Sequence, residues 1–222
     1  MHTVFITGTD TDAGKTYVAV ALLQGLKALG YRTVAQKPVA AGVDASGFNT
    51  DALQLQQHAT ASLPYQLVNP CCLTDPVAPH LAAAKAGTRI DTAMLSQALE
   101  TLHSVEADIA LVEGAGGWLL PLDHQHTMAD WVAQQQLPVL LVVGMKLGCL
   151  NHTLLTVREI ERSGLKLLGW VANCIDPDMA YLQDNIHYLQ QCLSAPCLGI
   201  LPYQAEPAAS TSLAAALIAQ LM

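Results

Sequence analysis

Thr3-Val4-Phe5-Ile6-Thr7 is an apolar run that leads straight into Gly8-Thr9-Asp10-Thr11-Asp12-Ala13-Gly14-Lys15-Thr16, and a helical pattern begins at Tyr17. Strand, glycine-bearing loop and helix in that order make the Gly14-Lys15-Thr16 ending a phosphate-binding loop, or P-loop. The chemistry explains the residue types. Backbone N–H groups at a helix start surround a phosphate, and the helix dipole favours its negative charge. Lys15 reaches the outer phosphates of a nucleotide, and the Thr16 hydroxyl suits Mg²⁺. One feature departs from the strict spacing. Thr9 stands where the first glycine of the pattern belongs, and Gly8 lies one place earlier. A glycine-rich turn with a helix-facing lysine is the ordinary alternative, and the flanking elements favour the phosphate.

Outward from this loop, apolar strand-like runs alternate with helical patterns. Strands are expected at about 3–7, 33–36, 108–112, 138–143, 167–172 and 197–201. Helices are expected at about 15–29, 50–58, 91–103, 127–136, 150–163, 178–193 and 210–221. Ile109-Ala110-Leu111-Val112 and Val139-Leu140-Leu141-Val142-Val143 are apolar at successive positions, as in strands covered on both faces. The pattern predicts an α/β fold: a doubly wound, mainly parallel sheet with helices on both faces, of P-loop NTPase type. The stretch 60–90, with Pro64, Pro70, Pro76 and Pro79, reads as an extended surface segment with a short helix near 80–86. No linker-like composition divides the chain, so residues 1–222 are expected to form a single domain.

Composition narrows the function. Hydrophobic residues make up 52% and charged residues 13%, with a formal charge of −8, so nucleic acid is not an expected partner. Neither a signal peptide nor a membrane-length apolar run is evident, and six cysteines without C-x-x-C spacing read as free thiols. A cytoplasmic protein without membrane partners is the expectation.

In such a sheet, ligands sit beyond the carboxyl ends of the strands. The second strand ends at Lys37, either an ordinary solvated charge or a second cation for phosphoryl transfer; so few cations in the chain favour the latter. The third ends in Glu113-Gly114-Ala115-Gly116-Gly117. A buried carboxylate there needs a cation, and the small residues behind it admit a close ligand. Asp51 stands in a first helical turn, where the dipole alone would favour it, or serves as a second magnesium carboxylate. Asn173 ends the fifth strand, where its amide suits a purine edge or caps the next turn. Gly148-Cys149-Leu150-Asn151 opens a helix whose N–H groups suit a carboxylate. His124 and His126 lack partners at ligand spacing, and Cys149 lacks a nearby base, so neither is read as a metal site or reactive thiol.

Together GTDTDAGKT, Gln36-Lys37-Pro38-Val39-Ala40, Asn49-Thr50-Asp51-Ala52-Leu53, Val112-Glu113-Gly114-Ala115-Gly116-Gly117-Trp118, Gly144-Met145-Lys146-Leu147-Gly148-Cys149-Leu150-Asn151-His152 and Gly169-Trp170-Val171-Ala172-Asn173 resemble the dethiobiotin synthetases. The resemblance implies a ligase of biotin synthesis that uses ATP and Mg²⁺ to close a ureido ring on 7,8-diaminononanoate with CO₂. It implies catalysis by Lys37, Lys15 and Thr11, and a metal held by Thr16, Asp51 and Glu113. Asp12, Ala13, Gly14, Lys15, Thr16 and Tyr17 would surround the phosphates, with Asp51, Glu113, Gly114, Ala115 and Gly116 beside them. Asn173, Cys174, Pro202, Tyr203 and Gln204 would hold the base. Lys37 and Ala41 would face the substrate, and Gly148, Cys149, Leu150 and Asn151 of a second subunit would receive its carboxylate across a homodimer interface.

This chain departs from the family pattern in three places. Asp12 stands where Glu is frequent, Ala41 where a hydroxyl residue is common, and Glu206-Pro207-Ala208 is shorter and less polar, which weakens Glu206 as a ribose contact. The rival reading is a switch or partitioning P-loop ATPase acting through protein partners. Those proteins carry an extra lysine early in the loop, where this chain has Asp10, and often a basic amphipathic final helix, whereas residues 211–222 contain no Lys or Arg.

Overall fold

In the computed structural model, which describes residues 1–204 and 207–222, six strands form one parallel sheet. They are β1 (His2–Gly8), β2 (Thr33–Gln36), β5 (Ile109–Glu113), β6 (Val139–Gly144), β7 (Leu167–Asn173) and β8 (Cys197–Leu201), in the order β2-β5-β1-β6-β7-β8. Central β1 pairs Phe5 with Val112 on one side and with Val139 on the other. Its side chains alternate between two apolar layers, Val4 and Ile6 facing one and Phe5 the other. Both layers are buried, which explains the unbroken apolar runs in the sequence.

On the Val4–Ile6 face lie α1 (Lys15–Ala28) and α9 (Pro207–Leu221), packed on each other. Gly25 makes that approach possible: a Cβ there would lie 2.2 Å from the Ser210 carbonyl oxygen. On the opposite face lie α5 (Thr92–His103) and α6 (Met128–Gln134), with α7 (Cys149–Arg162) and α8 (Leu182–Cys192) further along the sheet. The start of α6 is fixed by a capping box, with the Thr127 side chain accepting from Asp130 N–H and Asp130 accepting in return from Thr127 N–H. No helix among the described residues is long and apolar enough to cross a membrane.

Two expectations need correction. Residues 60–90 are more ordered than a surface crossing: α3 (Tyr65–Val68), β4 (Cys71–Leu73) and α4 (Pro79–Lys85) follow one another. Strand β4 pairs in parallel with β3 (Val39–Ala41), a strand unmarked by any apolar run because it is three residues long. Helix α8 begins at Leu182 rather than near 178, because Asp176 caps a turn through the N–H groups of Asp178 and Met179. Helix α2 (Thr50–His58) lies where the periodicity placed it, capped by Asn49.

Gly25→Ala should destabilise the protein. Alanine gains roughly 1 kcal/mol of helix propensity, but the contact is with backbone, and forcing α1 and α9 apart costs about 1–3 kcal/mol or more. A lower urea midpoint at unchanged slope is expected, and a raised midpoint would show that the helices part freely.

Candidate active site

All six parallel strands present their carboxyl ends at one edge, so the strand order sets the order of the site. Lys37, Glu113, the loop after β1 and Asn173 follow one another along it. The loop is tightly shaped. Asp12 (φ 59°) and Gly14 (φ 83°) both take the left-handed conformation, which Asp tolerates and Gly favours. Gly14 is required twice over, since a Cβ on it would lie 2.0 Å from Asn173 Nδ2. Helix α1 starts immediately after it, and a first helical turn leaves N–H groups without helical acceptors.

Glu113 is the centre of the electrostatics. It is only 1% exposed, yet its Oε1 accepts from Thr16 Oγ1 (2.7 Å) and from Lys37 Nζ (2.5 Å). Its Oε2 is buried without a hydrogen-bond partner. Lys37, 4% exposed, also lies 3.3 Å from Asp51 Oδ2. Burial alone would lower the Lys37 pKa, but Glu113 and Asp51 outweigh it, so its ammonium is held above the usual lysine range. Lys15 goes the other way. Burial, reinforced by repulsion from Lys37, lowers it to about 8 against the opposing carboxylates, while its Nζ donates to the Asp10 carbonyl at 3.1 Å. The unpartnered Glu113 oxygen, the Thr16 hydroxyl and the nearby Asp51 carboxylate suit a hard divalent cation that keeps most of its ligands from water and phosphate. Among the described residues no three His, Cys, Asp or Glu side chains form a metal cage.

These groups line a cavity of about 670 Å³, together with Thr11, Asp12, Gly14, Ala41, Ala115 and Gly116. Its other wall is Pro76-Val77-Ala78-Pro79 with Leu120, which the sequence reading missed, and Asn49, which it quoted only as part of a motif. The only signal for 76–79 was the proline pair leading into α4. A second cavity of about 300 Å³ adjoins the loop at Gly14 and is lined by Tyr17, Asn173, Cys174, Pro202, Tyr203 and Gln204, with Ile175 besides. Asn173 is partly committed, because its Nδ2 donates to the Ala13 carbonyl at 2.9 Å, while Oδ1 is its acceptor end.

Other sequence candidates lie outside both cavities. Ala13 contributes that carbonyl, and Gly114 lies behind the site, its N–H on the Ile6 carbonyl and its α-carbon against Phe5. Gly148, Cys149, Leu150 and Asn151 open α7 and line neither cavity of their own chain. Cys149 is buried, which pushes its thiol pKa up. His126 pairs with Asp123 at 3.0 Å on the surface. Glu206 lies outside the described residues.

A family model described as an AAA domain matches residues 2–211. The chain is 48% identical over 202 residues to the ATP-dependent dethiobiotin synthetase BioD 1 of Salmonella typhi, covering 90% of this chain and 88% of that protein. It is 47% identical over 205 residues to BioD 1 of Escherichia coli strain K12, covering 91% of each. This chain belongs to the dethiobiotin synthetase family. As a dethiobiotin synthetase it shares its fold, at much lower identity, with other P-loop NTPases. The Pyrococcus furiosus cell division ATPase MinD superposes with a TM-score of 0.62 at 18% identity, covering 100% of both chains. Cobyrinic acid a,c-diamide synthase of Mycobacterium smegmatis superposes with a TM-score of 0.60 at 14% identity, covering 99% of this chain and 94% of that one. Both are evidence of fold alone.

The depressed Lys15 pKa has a measurable consequence for a nucleotide-binding synthetase. Phosphates favour the charged lysine, so MgADP binding at about pH 9 takes up most of a proton, whereas at about pH 7 Lys15 is already largely charged and takes up little. Titration calorimetry in buffers of different ionisation enthalpy measures this. Buffer-independent heats at the higher pH would contradict it.

Proposed function

We propose that this chain acts as one domain over residues 1–222 and closes the ureido ring of dethiobiotin from 7,8-diaminononanoate, CO₂ and ATP. One amine nitrogen attacks CO₂, losing a proton, to give a carbamate. A carbamate oxygen then attacks the γ-phosphorus and expels ADP. The neighbouring amine attacks the resulting mixed anhydride at carbon, releasing phosphate and a proton as the ring closes. Phosphorylation is the decisive step, because it converts a poor leaving oxygen into a good one.

The observation that carries this reading is the convergence of two buried lysines and a buried glutamate on one cavity beside the P-loop. Lys15 and Lys37 neutralise charge on the transferring phosphoryl group, and Lys37 orients the carbamate. Thr11, on the cavity wall, contacts the carbamate. Asp12, Gly14, Lys15 and Thr16 hold the phosphates, with Glu113, Ala115 and Gly116 alongside, and the smaller cavity takes the adenine between Tyr17, Asn173 and Pro202–Gln204. Thr16, Glu113 and Asp51 hold Mg²⁺, which supplies charge neutralisation to the phosphates when bound. Ala41 offers no hydroxyl to the diamine, so recognition there rests on shape.

The protein acts as a cytoplasmic homodimer. The start of helix α7 lines neither cavity of its own chain, with Leu147 96% exposed just before it, which supports delivery of Gly148–Asn151 to a partner's substrate. Asp10 stands where switch ATPases carry a lysine and pairs with Lys146 at 3.2 Å, which supports an enzyme rather than a partner-driven switch.

Phosphate release from MgATP should depend on both the diamine and bicarbonate and yield a cyclic urea of the expected mass. ATP turnover indifferent to the diamine would refute the reading. Lys37→Gln should cut ring closure by at least ~100-fold while leaving nucleotide affinity within about threefold. Parallel loss of both would move Lys37 from the chemistry to nucleotide binding.

A further inference from the structure

Lys37 lies between β2 and β3, outside either strand ladder, yet both of its backbone groups are engaged. Its N–H donates to the Val68 carbonyl at 2.7 Å, and its carbonyl accepts from Asn69 Nδ2 at 2.7 Å. Asn69 is 2% exposed and spends its remaining capacity nearby: Nδ2 also reaches the Cys71 carbonyl (3.3 Å), and Oδ1 accepts from the Tyr65 hydroxyl (3.0 Å). The same hydroxyl accepts from the Asn49 N–H at 2.8 Å. Asn49 in turn caps α2, accepting from Ala52 N–H at 3.1 Å and donating to the Gly42 carbonyl at 2.9 Å. Asp51 sits in the first turn of that helix and pairs with the Lys37 ammonium.

The contacts close a ring: Lys37 backbone, Asn69, Tyr65, Asn49, the first turn of α2, Asp51, and back to the Lys37 side chain. Neither Asn69 nor Tyr65 lines the large cavity. Both are built for the role. Asn uses its donor and acceptor ends at once, and burial pushes the Tyr65 pKa up to about 12, so its hydroxyl keeps the proton that it donates. The edge-to-face contact of Phe48 on Tyr65, with centroids 4.6 Å apart, holds the ring in place. We propose that Tyr65 and Asn69 are positioning residues for the synthetase reaction, a strut that sets the Lys37 ammonium and the Asp51 carboxylate at the separation the phosphoryl transfer uses. The proposal rests on the roles given to Lys37 and Asp51 under the proposed function.

Tyr65→Phe removes only the hydroxyl and keeps the ring. Steady-state ring closure should then show kcat lowered ~10-fold, KM for ATP within about twofold, and half-saturating Mg²⁺ raised several-fold. In an Asp51→Asn background the same substitution should cost no more than about threefold, because the carboxylate it positions is gone. Asn69→Ser should reproduce the pattern and serves as the second variant if Tyr65→Phe unfolds below the assay temperature. Unchanged kcat in folded variants would overturn the proposal. So would a loss that multiplies in full with Asp51→Asn, or failure of both variants to fold, since the network would then support the fold and not the site. Absence of diamine-dependent turnover in the unsubstituted protein would instead refute the proposed function.

Discussion

A carboxylate buried at the end of a central strand is the constraint on which the site depends. Glu113 ends β5 with almost no solvent, and an ionised carboxylate there is stable only beside cations and donors. Lys37 and Thr16 meet that need on the same oxygen. The ion pair draws together the exit of β2, the end of β5 and the start of α1, three elements far apart in sequence. Buried pairs of this kind seldom add net stability over an apolar replacement, although losing one partner costs about 3–5 kcal/mol. Its presence is better explained by chemistry: a carboxylate with one oxygen unpartnered, next to a P-loop threonine, suits the metal proposed above.

The parallel sheet turns that local arrangement into a site. Strand order places the Lys37–Glu113 side and the Asn173 side on either flank of the loop after β1, so the large cavity and the smaller one, proposed for phosphate chemistry and for the base, meet at Gly14. The loop's shape is locked from the β6–β7 flank. Asn173 holds the Ala13 carbonyl, and Thr9 at the vacated glycine position accepts the Gly144 N–H at 3.3 Å. The extra residue before Gly14 therefore ties the loop to β6 and does not loosen it.

Much of this was legible in the sequence because buried parallel strands leave continuous apolar runs, and strand ends point to ligands. Lys37, Glu113 and Asn173 were singled out at strand ends, Lys37 also for the scarcity of cations and Glu113 for the cost of a buried carboxylate, and all three line a cavity. Asp51 was not decided by spacing, since a first-turn aspartate has a sufficient reason in the helix dipole; its contact with Lys37 is tertiary. The wall at Pro76–Pro79, the β3–β4 pair and the Tyr65–Asn69 strut were not legible. They arise where short irregular elements meet, and neither periodicity nor composition records which carbonyl an asparagine will hold. Gly148–Asn151 carries a helix start in the sequence and lines neither of the two cavities of its own chain.

The most direct measurement of the central claim is the effect of Mg²⁺ on ADP affinity in Glu113→Gln, which keeps the size of the side chain and removes its charge. Mg²⁺ should tighten ADP binding in the unsubstituted protein, and Glu113→Gln should lose that enhancement by ~10-fold or more while metal-free affinity stays within about twofold. Full Mg²⁺ enhancement in Glu113→Gln would contradict a site organised around this carboxylate.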